Sequence, residues 1–379
     1  MLSAAPRFGR IVGVGMRRWK AYNLAPILAA QCRALRFCAD AAAARALAPG
    51  PGDALAVWGA IAPAGVKRLA GETGATLLRI EDGFVRSVGL GSDLIAPQSL
   101  VIDEIGIYFD ATRPSRLETI LNGAAFDDAL LARAAAARAT IVEQGLTKYN
   151  IEARTAPAWR GAGRRIVLVP GQVESDASIA LGGTDVRSNL ALLERVRATC
   201  PDACIVYKPH PDVMSGNRRG RGAEREAMAI ADVVETQCSI VSCIEACDEV
   251  HTITSLAGFD ALLRNKPVTT WGMPFYAGWG ATTDRAPLAA AAARRTTRLS
   301  VDQIVAGTLL QYPLYWDELH QRPTNCESVL SNIARQRNML ERDGKLDGLR
   351  TGGTARLTRK LRTLGRAWLG ARSRDRWWN

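Results

Sequence analysis

Histidine is almost missing from this sequence: there are three in 379 residues, and none of the eight cysteines forms a CxxC pair. With so few soft ligands at such spacings, neither a metal site nor any other cofactor is expected. Long apolar runs are missing too. Nothing approaches the roughly 18 residues that a membrane-spanning helix needs. Near the N-terminus, Ile11–Gly15 is too short for a signal-peptide core, and Arg17, Arg18 and Lys20 follow it in place of a cleavage site. The sequence therefore predicts a cytoplasmic protein, in which cysteines such as Cys200, Cys204, Cys243 and Cys247, set among apolar residues, are reduced core thiols. Acid is in short supply only at one end. Of the net charge of +12, eight belong to the last thirty residues, where nine Lys or Arg face one acid, Asp375.

What is present is an alternation of short β-rich runs with helical patterns, which predicts parallel sheets covered by helices. Strands are expected at Arg10–Val14, Ala54–Trp58 and Thr76–Ile80, and helices at Pro26–Leu35 and Phe126–Gln144. A linker is expected at Thr155–Gly163. A second set follows: strands Arg165–Val169, Ala203–Tyr207, Glu249–Ile253 and Pro267–Thr270, and helices Asn189–Thr199 and Leu256–Leu263. The expected fold class is α/β and GT-B-like. It has two Rossmann-like domains facing a cleft, 1–155 and 156–345, plus a basic tail, 346–379. Most of the strands end in polar or glycine-rich loops, and in open α/β sheets ligands bind at those carboxyl ends.

Four such loops carry ionisable or hydroxyl groups. Glu81-Asp82-Gly83, followed by Phe84, Arg86 and Ser87, offers a carboxylate for proton transfer beside a glycine; a turn or helix cap uses the same residues. Gly171-Gln172-Val173-Glu174-Ser175-Asp176 spaces two acids so that one faces a ligand, or both cap the next helix. In Lys208-Pro209-His210-Pro211 the prolines deny the loop backbone donors, which leaves Lys208 and His210 as cations suited to a phosphate. Thr254-Ser255, opening a helix that carries Gly258 and Asp260, combines a hydroxyl with free N–H groups. This is an anion site and an ordinary N-cap at once.

Taken in order, the stretches RIEDGFVRSVGLGSDLIAPQSLVID, TRPSRLE, TKYN, VLVPGQVESDASI, YKPHPDV, DEVHTITSLAGFDALL and PFYAGWGATTDR resemble the KpsC/KpsS capsule polysaccharide synthesis family. The likeness runs from about Arg10 to Pro323 and is strongest to a single KpsC module, the C-terminal one. It implies a retaining transferase that moves Kdo from CMP-Kdo to a Kdo acceptor on a phosphatidylglycerol-type lipid. It also implies Asp176 as nucleophile with Glu174 in reserve, and Glu81 and Asp82 as the base for the acceptor hydroxyl. Gln172, Lys208, His210, Thr254, Ser255 and Asp260 would meet the donor, while Arg86, Lys148 and Arg187 are candidate cations for sugar carboxylates. Two departures stand out. KpsC proteins usually carry two modules where this chain has room for one, and the family's Ser-x-x-Gly-x-Glu motif ends here in Asp260.

A nucleotide-sugar epimerase of the same architecture is the rival enzyme. A basic-tail protein binding nucleic acid or a membrane surface is the rival outside enzymology; the strand-end acids argue against a nucleic-acid partner. In the tail, Leu357, Leu361, Leu364 and Trp368 recur at spacings of three and four among Arg356, Lys360 and Arg366. This is the pattern of a helix lying on the cytoplasmic face of the inner membrane, peripheral to it. Gly365 and Gly370 weaken that helix in isolation, so ordering on binding is expected.

Overall fold

β-branched and leucine side chains covered on both faces favour extended, parallel pairing, and the apolar runs of the first half do pair in this way. The structure, a computed structural model, describes residues 6–123, 125–152, 154–159, 163–210, 226–227, 229–350 and 353–373. Strands β1 (Phe8–Val14), β2 (Cys32–Cys38), β3 (Ala54–Trp58) and β4 (Thr76–Asp82) lie parallel in the order β2-β1-β3-β4. Helix α1 (Arg18–Ala29) connects the first two. The helix expected over Pro26–Leu35 therefore stops early. Cys32–Cys38 instead runs in register with β1 from Phe8↔Cys32 to Val14↔Cys38 and buries Leu35 and Phe37, which outweighs the helical spacing. After β4 the direction reverses: β5 (Ser99–Asp103) pairs antiparallel with it. Helices α2 (Arg116–Gly123) and α3 (Asp128–Gln144) follow.

The second sheet is wholly parallel, in the order β11-β10-β9-β6-β7-β8. Its strands are β6 (Ile166–Pro170), β7 (Cys204–Lys208), β8 (Val233–Val234), β9 (Glu249–Thr252), β10 (Val268–Thr270) and β11 (Thr283–Asp284). Helix α4 (Ala177–Gly182) and helix α5 (Asn189–Thr199) follow β6, and helix α6 (Leu256–Leu263) follows β9. The chain then returns to the first sheet. β12 (Pro313–Asp317) pairs antiparallel with β5, and β13 (Arg322–Thr324) antiparallel with β12. The first sheet is thus mixed where an all-parallel one was expected. It draws strands from residues more than two hundred positions apart.

One core runs through both sets of elements. The Phe84 ring, two residues beyond β4, lies 4.7 Å from Tyr108, 4.8 Å from Phe275, 6.3 Å from Phe259 and 6.4 Å from Tyr312, centroid to centroid. Around it, Glu118 of α2 takes Arg294 Nε at 2.8 Å and Arg295 Nε at 3.0 Å. Buried Arg295 also donates to the carbonyls of Pro274 and Ala277 at 2.6 and 2.8 Å, so the ion pair is reinforced by further hydrogen bonds.

Helix α7 (Cys326–Arg342) follows β13, and the expected basic tail opens with a helical turn, Leu346–Arg350, whose first residue is buried. Of the tail, 353–373 forms helix α8 (Gly353–Ser373), which packs against α1, buries Ala367 and sets Lys360 Nζ 3.1 Å from the buried Asp93. Leu357, Leu361, Leu364, Trp368 and Leu369 stay exposed. Trp377 and Trp378 lie outside the described residues, as do Pro211 and residues 160–162 of the expected linker. Among the described residues no helix is long and apolar enough to cross a membrane. All eight cysteines are free thiols, seven of them buried.

Because Phe84 joins aromatic rings from both halves, its removal should be felt globally. Phe84→Ala is expected to lower the unfolding free energy by about 3–5 kcal/mol, as read from the denaturant midpoint.

Candidate active site

Strand ends of both sheets open on a single cavity of about 1080 Å³, which Val14, Trp58, Glu81 and Asp82 reach from the first sheet and Pro170 and Lys208 from the second. At the end of β4, Glu81 Oε1 accepts from the Asp82 amide at 3.0 Å. Arg86 Nε lies 2.8 Å from Asp82 Oδ2, and the same guanidinium donates to Ser87 Oγ and to the Ile95 carbonyl. Arg86 was expected to hold a substrate anion. It does not line the cavity; it is buried and fixes Asp82. The other carboxylate oxygen, Asp82 Oδ1, is buried with no hydrogen-bond partner among the described residues. Gly83 is required here because a Cβ would stand 2.1 Å from Ser99 Oγ. Burial, and next the Asp82 charge, push the Glu81 carboxyl up to about 7.

The loop after β6 separates its two acids. Glu174 Oε1 accepts from the Asn189 amide at 2.8 Å at the start of α5, and Glu174 does not line the cavity. Asp176 is the N-cap of α4, accepting from the Ser178 amide at 2.9 Å, and it does line the cavity, exposed to solvent. A cap and a cavity-facing carboxylate are thus the same group. Gln172 braces the site. Its amide exchanges hydrogen bonds with Thr254 (Gln172 Nε2 to Thr254 Oγ1, 3.0 Å; Thr254 N to Gln172 Oε1, 2.9 Å) while its backbone is tied to Asn189.

Lys208 and His210 both line the cavity. Two of the three ammonium donors of Lys208 are occupied, by Glu152 at 3.2 Å and by the Cys238 carbonyl at 2.6 Å. At α6, Ser255 Oγ accepts from the Ala257 amide at 3.2 Å, and Tyr276 donates its hydroxyl to the Ser255 carbonyl at 2.5 Å. Only glycine fits at 258, where a Cβ would lie 2.2 Å from that hydroxyl. Asp260, one turn on, lines the cavity, and burial raises its carboxyl to about 7 against the pull of Arg264. Lys148 also lines the cavity. Arg187 does not; it is exposed and bonds the Thr184 carbonyl.

The sequence reading overlooked Trp19, Lys20, Trp58, Tyr108, Phe109 and Glu152, all of which line the cavity. The strand-end rule that picked out Glu81 applies equally to Trp58, the last residue of β3. Toward the opposite end of β9, Cys200, Glu249 and His251 offer three possible metal-ligand atoms close together. His251 Nε2 lies 3.2 Å from Glu249 Oε1, its Nδ1 accepts from Trp271 Nε1 at 3.4 Å, and Glu249 also takes Arg165, so the imidazole and carboxylate are already engaged.

A cavity that gathers carboxylates, cations and a capped helix end from two α/β sheets has the composition of a site for anionic, hydroxyl-rich substrates. Residues 53–315 match the family described as capsule polysaccharide biosynthesis protein, and the chain belongs to that family. It is 40% identical over 361 residues to the capsule polysaccharide modification protein LipA of Neisseria meningitidis serogroup B, covering 95% of this chain and 50% of LipA. It is 38% identical over 295 residues to the lipopolysaccharide-processing protein LpsZ of Rhizobium meliloti, covering 77% of this chain and 66% of LpsZ. The chain thus spans about half the length of LipA. Two solved structures of Thermosulfurimonas dismutans KpsC superpose on it. The β-Kdo 2,7 transferase gives a TM-score of 0.69 at 35% identity, covering 86% of this chain and 99% of that one. The β-Kdo 2,4 transferase gives 0.73 at 30% identity, covering 85% and 97%.

The electrostatics of β4 can be tested without substrate. In a carboxyl NMR titration, Glu81 should titrate near pH 7 instead of in the usual range near 4.5, and Asp82→Asn should move its midpoint down by removing the like charge.

Proposed function

We propose that the chain is a retaining β-Kdo transferase of GT-B architecture, using CMP-Kdo as donor and a lipid-linked Kdo of the phosphatidylglycerol type as acceptor. The acceptor side would be the first half, about 1–155, and the donor side about 156–345. The observation that carries the reading is the single cavity in which Glu81 and Asp82 meet Asp176, His210 and the Ser255 helix end. Identity of 30% or more to two Kdo transferases over nearly their whole length supports the substrate class.

In this reading Asp176 attacks the anomeric carbon as the bond to the CMP phosphate oxygen breaks, which gives a glycosyl ester and free CMP. The charge arriving on CMP is offset by His210, by the remaining donor of Lys208 and by the N–H groups opening α6. The acceptor hydroxyl then gives its proton to the Glu81–Asp82 pair and attacks the same carbon, and the Asp176 carboxylate leaves. A base that titrates near 7 is matched to that work, and Asp82 Oδ1, without a hydrogen-bond partner among the described residues, is an acceptor for a hydroxyl. Glu174, spent on α5, is left as a support for the loop.

Helix α8 supports residence on the cytoplasmic face of the inner membrane, beside such an acceptor. Five of its large apolar side chains are exposed on a helix that also carries Arg359, Arg362 and Arg366. Each cation close to an anionic leaflet contributes about 1 kcal/mol.

Incubation with CMP-Kdo and a synthetic Kdo-terminated acceptor should yield a product heavier by one Kdo, with the anomeric configuration of the donor retained; absence of product would remove the reading. Asp176→Ala should lose more than about tenfold in transfer, at least 1.4 kcal/mol of barrier, while CMP binding by calorimetry persists. Leu361→Ser with Trp368→Ser should abolish sedimentation with anionic vesicles yet spare transfer to a soluble acceptor, because both side chains are exposed.

A further inference from the structure

Three of the cations that line the cavity are committed to carboxylates. Lys208 is paired with Glu152, Arg154 with Glu245, and Arg337 with Glu341. Lys20 differs. It leaves the first turn of α1 and places Nζ 3.3 Å from the centroid of the Trp58 ring, with the Trp19 ring 5.4 Å away. Among the described residues no carboxylate stands within ion-pair distance of this ammonium, and no carbonyl takes a hydrogen bond from it.

An ammonium held on an indole face is attracted by the ring, but the ring satisfies none of its three N–H donors in a directed way. Burial lowers the Lys20 ammonium to about 8, with Glu81 and Asp82 opposing that loss from the end of β4. The cation has therefore given up much of its water without receiving an ion-pair or hydrogen-bond partner among the described residues. The indole wall lowers the local polarity, so an arriving anion is bound more strongly than it would be at the surface.

We propose that Lys20, seated on Trp58, is the specificity-determining cation of the acceptor side and takes the carboxylate of an acidic sugar. The inference rests on the transferase reading for what the carboxylate belongs to. Its place comes from the fold: Lys20 stands with Glu81 and Asp82 at the ends of the first-sheet strands, whereas Asp176, His210 and Ser255 come from the second. In this reading an anion bound on the first-sheet side of the base belongs to the sugar whose hydroxyl is being activated. A carboxylate on that ring stays in reach whatever the length of the acceptor, while a phosphate in the lipid linker recedes with each sugar added.

Two phosphate-free acceptors separate the sources: a soluble Kdo glycoside and its carboxylate methyl ester. Wild type should favour the free acid. Lys20→Met should raise KM for the acid by about 10- to 100-fold, the loss expected for one charge-assisted contact, with kcat within a few-fold and the ester little affected. Lys20→Arg should recover most of the preference, and unchanged melting of both variants excludes a folding defect. A wild type that treats acid and ester alike, as it would if the site served a phosphate, overturns the proposal. So does a Lys20→Met enzyme that still prefers the acid, or one that loses kcat in place of KM. If wild type makes no product from CMP-Kdo, the transferase reading falls and calorimetry decides the subsite alone. Salt-sensitive binding of the acid that Lys20→Met abolishes sustains it, and equal binding by both proteins ends it.

Discussion

The contact on which the rest of this structure depends is the seating of Phe84 among Tyr108, Phe259, Phe275 and Tyr312. Phe84 is two residues from Asp82 in sequence, and Phe259 is one residue from Asp260. The same packed rings therefore fix the carboxylates of β4 and the acid on α6. Close-packed aromatic groups transmit small displacements instead of absorbing them. The positions of the polar groups around the cavity are set by these packed rings, of which Tyr108 and Phe275 also line it.

Above that floor the charges divide into two kinds. Some are paired and serve as struts: Arg86 on Asp82, Glu152 on Lys208, Glu118 on Arg294 and Arg295. Others are held in low polarity, namely Glu81, Asp260 and Lys20, and with them the buried Asp82 Oδ1, which has no hydrogen-bond partner among the described residues. Burial is the dominant cause of the shifts of Glu81, Asp260 and Lys20, so their properties belong to the shape of the cavity as much as to their neighbours. The division separates groups that shape the site from groups with capacity left for a substrate.

Much of this was legible in the sequence, and the failures have physical causes. Strands Ala54–Trp58 and Thr76–Ile80 and helices Asn189–Thr199 and Leu256–Leu263 follow from local pattern, and the strand-end loops led to Glu81, Asp176, His210 and Ser255. β2 was read as part of a helix because its pairing with β1 is a tertiary fact. The antiparallel pairing of β12 with β5 was invisible for the same reason, since β12 lies far along the chain. Arg86 looked like a ligand because charge is visible in sequence and the Asp82 that engages it is not visible as a partner. Lys20 and Trp58, thirty-eight positions apart, carry no motif; only the neighbouring ends of β1 and β3 bring them together.

The return of β12 to β5 bears on how the chain comes off the ribosome. Until about residue 317 has emerged, β5 has β4 on one side and an open row of backbone donors and acceptors on the other. Roughly 210 residues separate Asp103 from Pro313. At about 5–20 residues per second their synthesis takes on the order of 10–40 s. Over that interval an apolar edge strand is available to pair with a neighbouring nascent chain. The second sheet, whose strands all lie between Ile166 and Asp284, is complete before the first one closes. The half that begins the sequence is thus the last to finish folding.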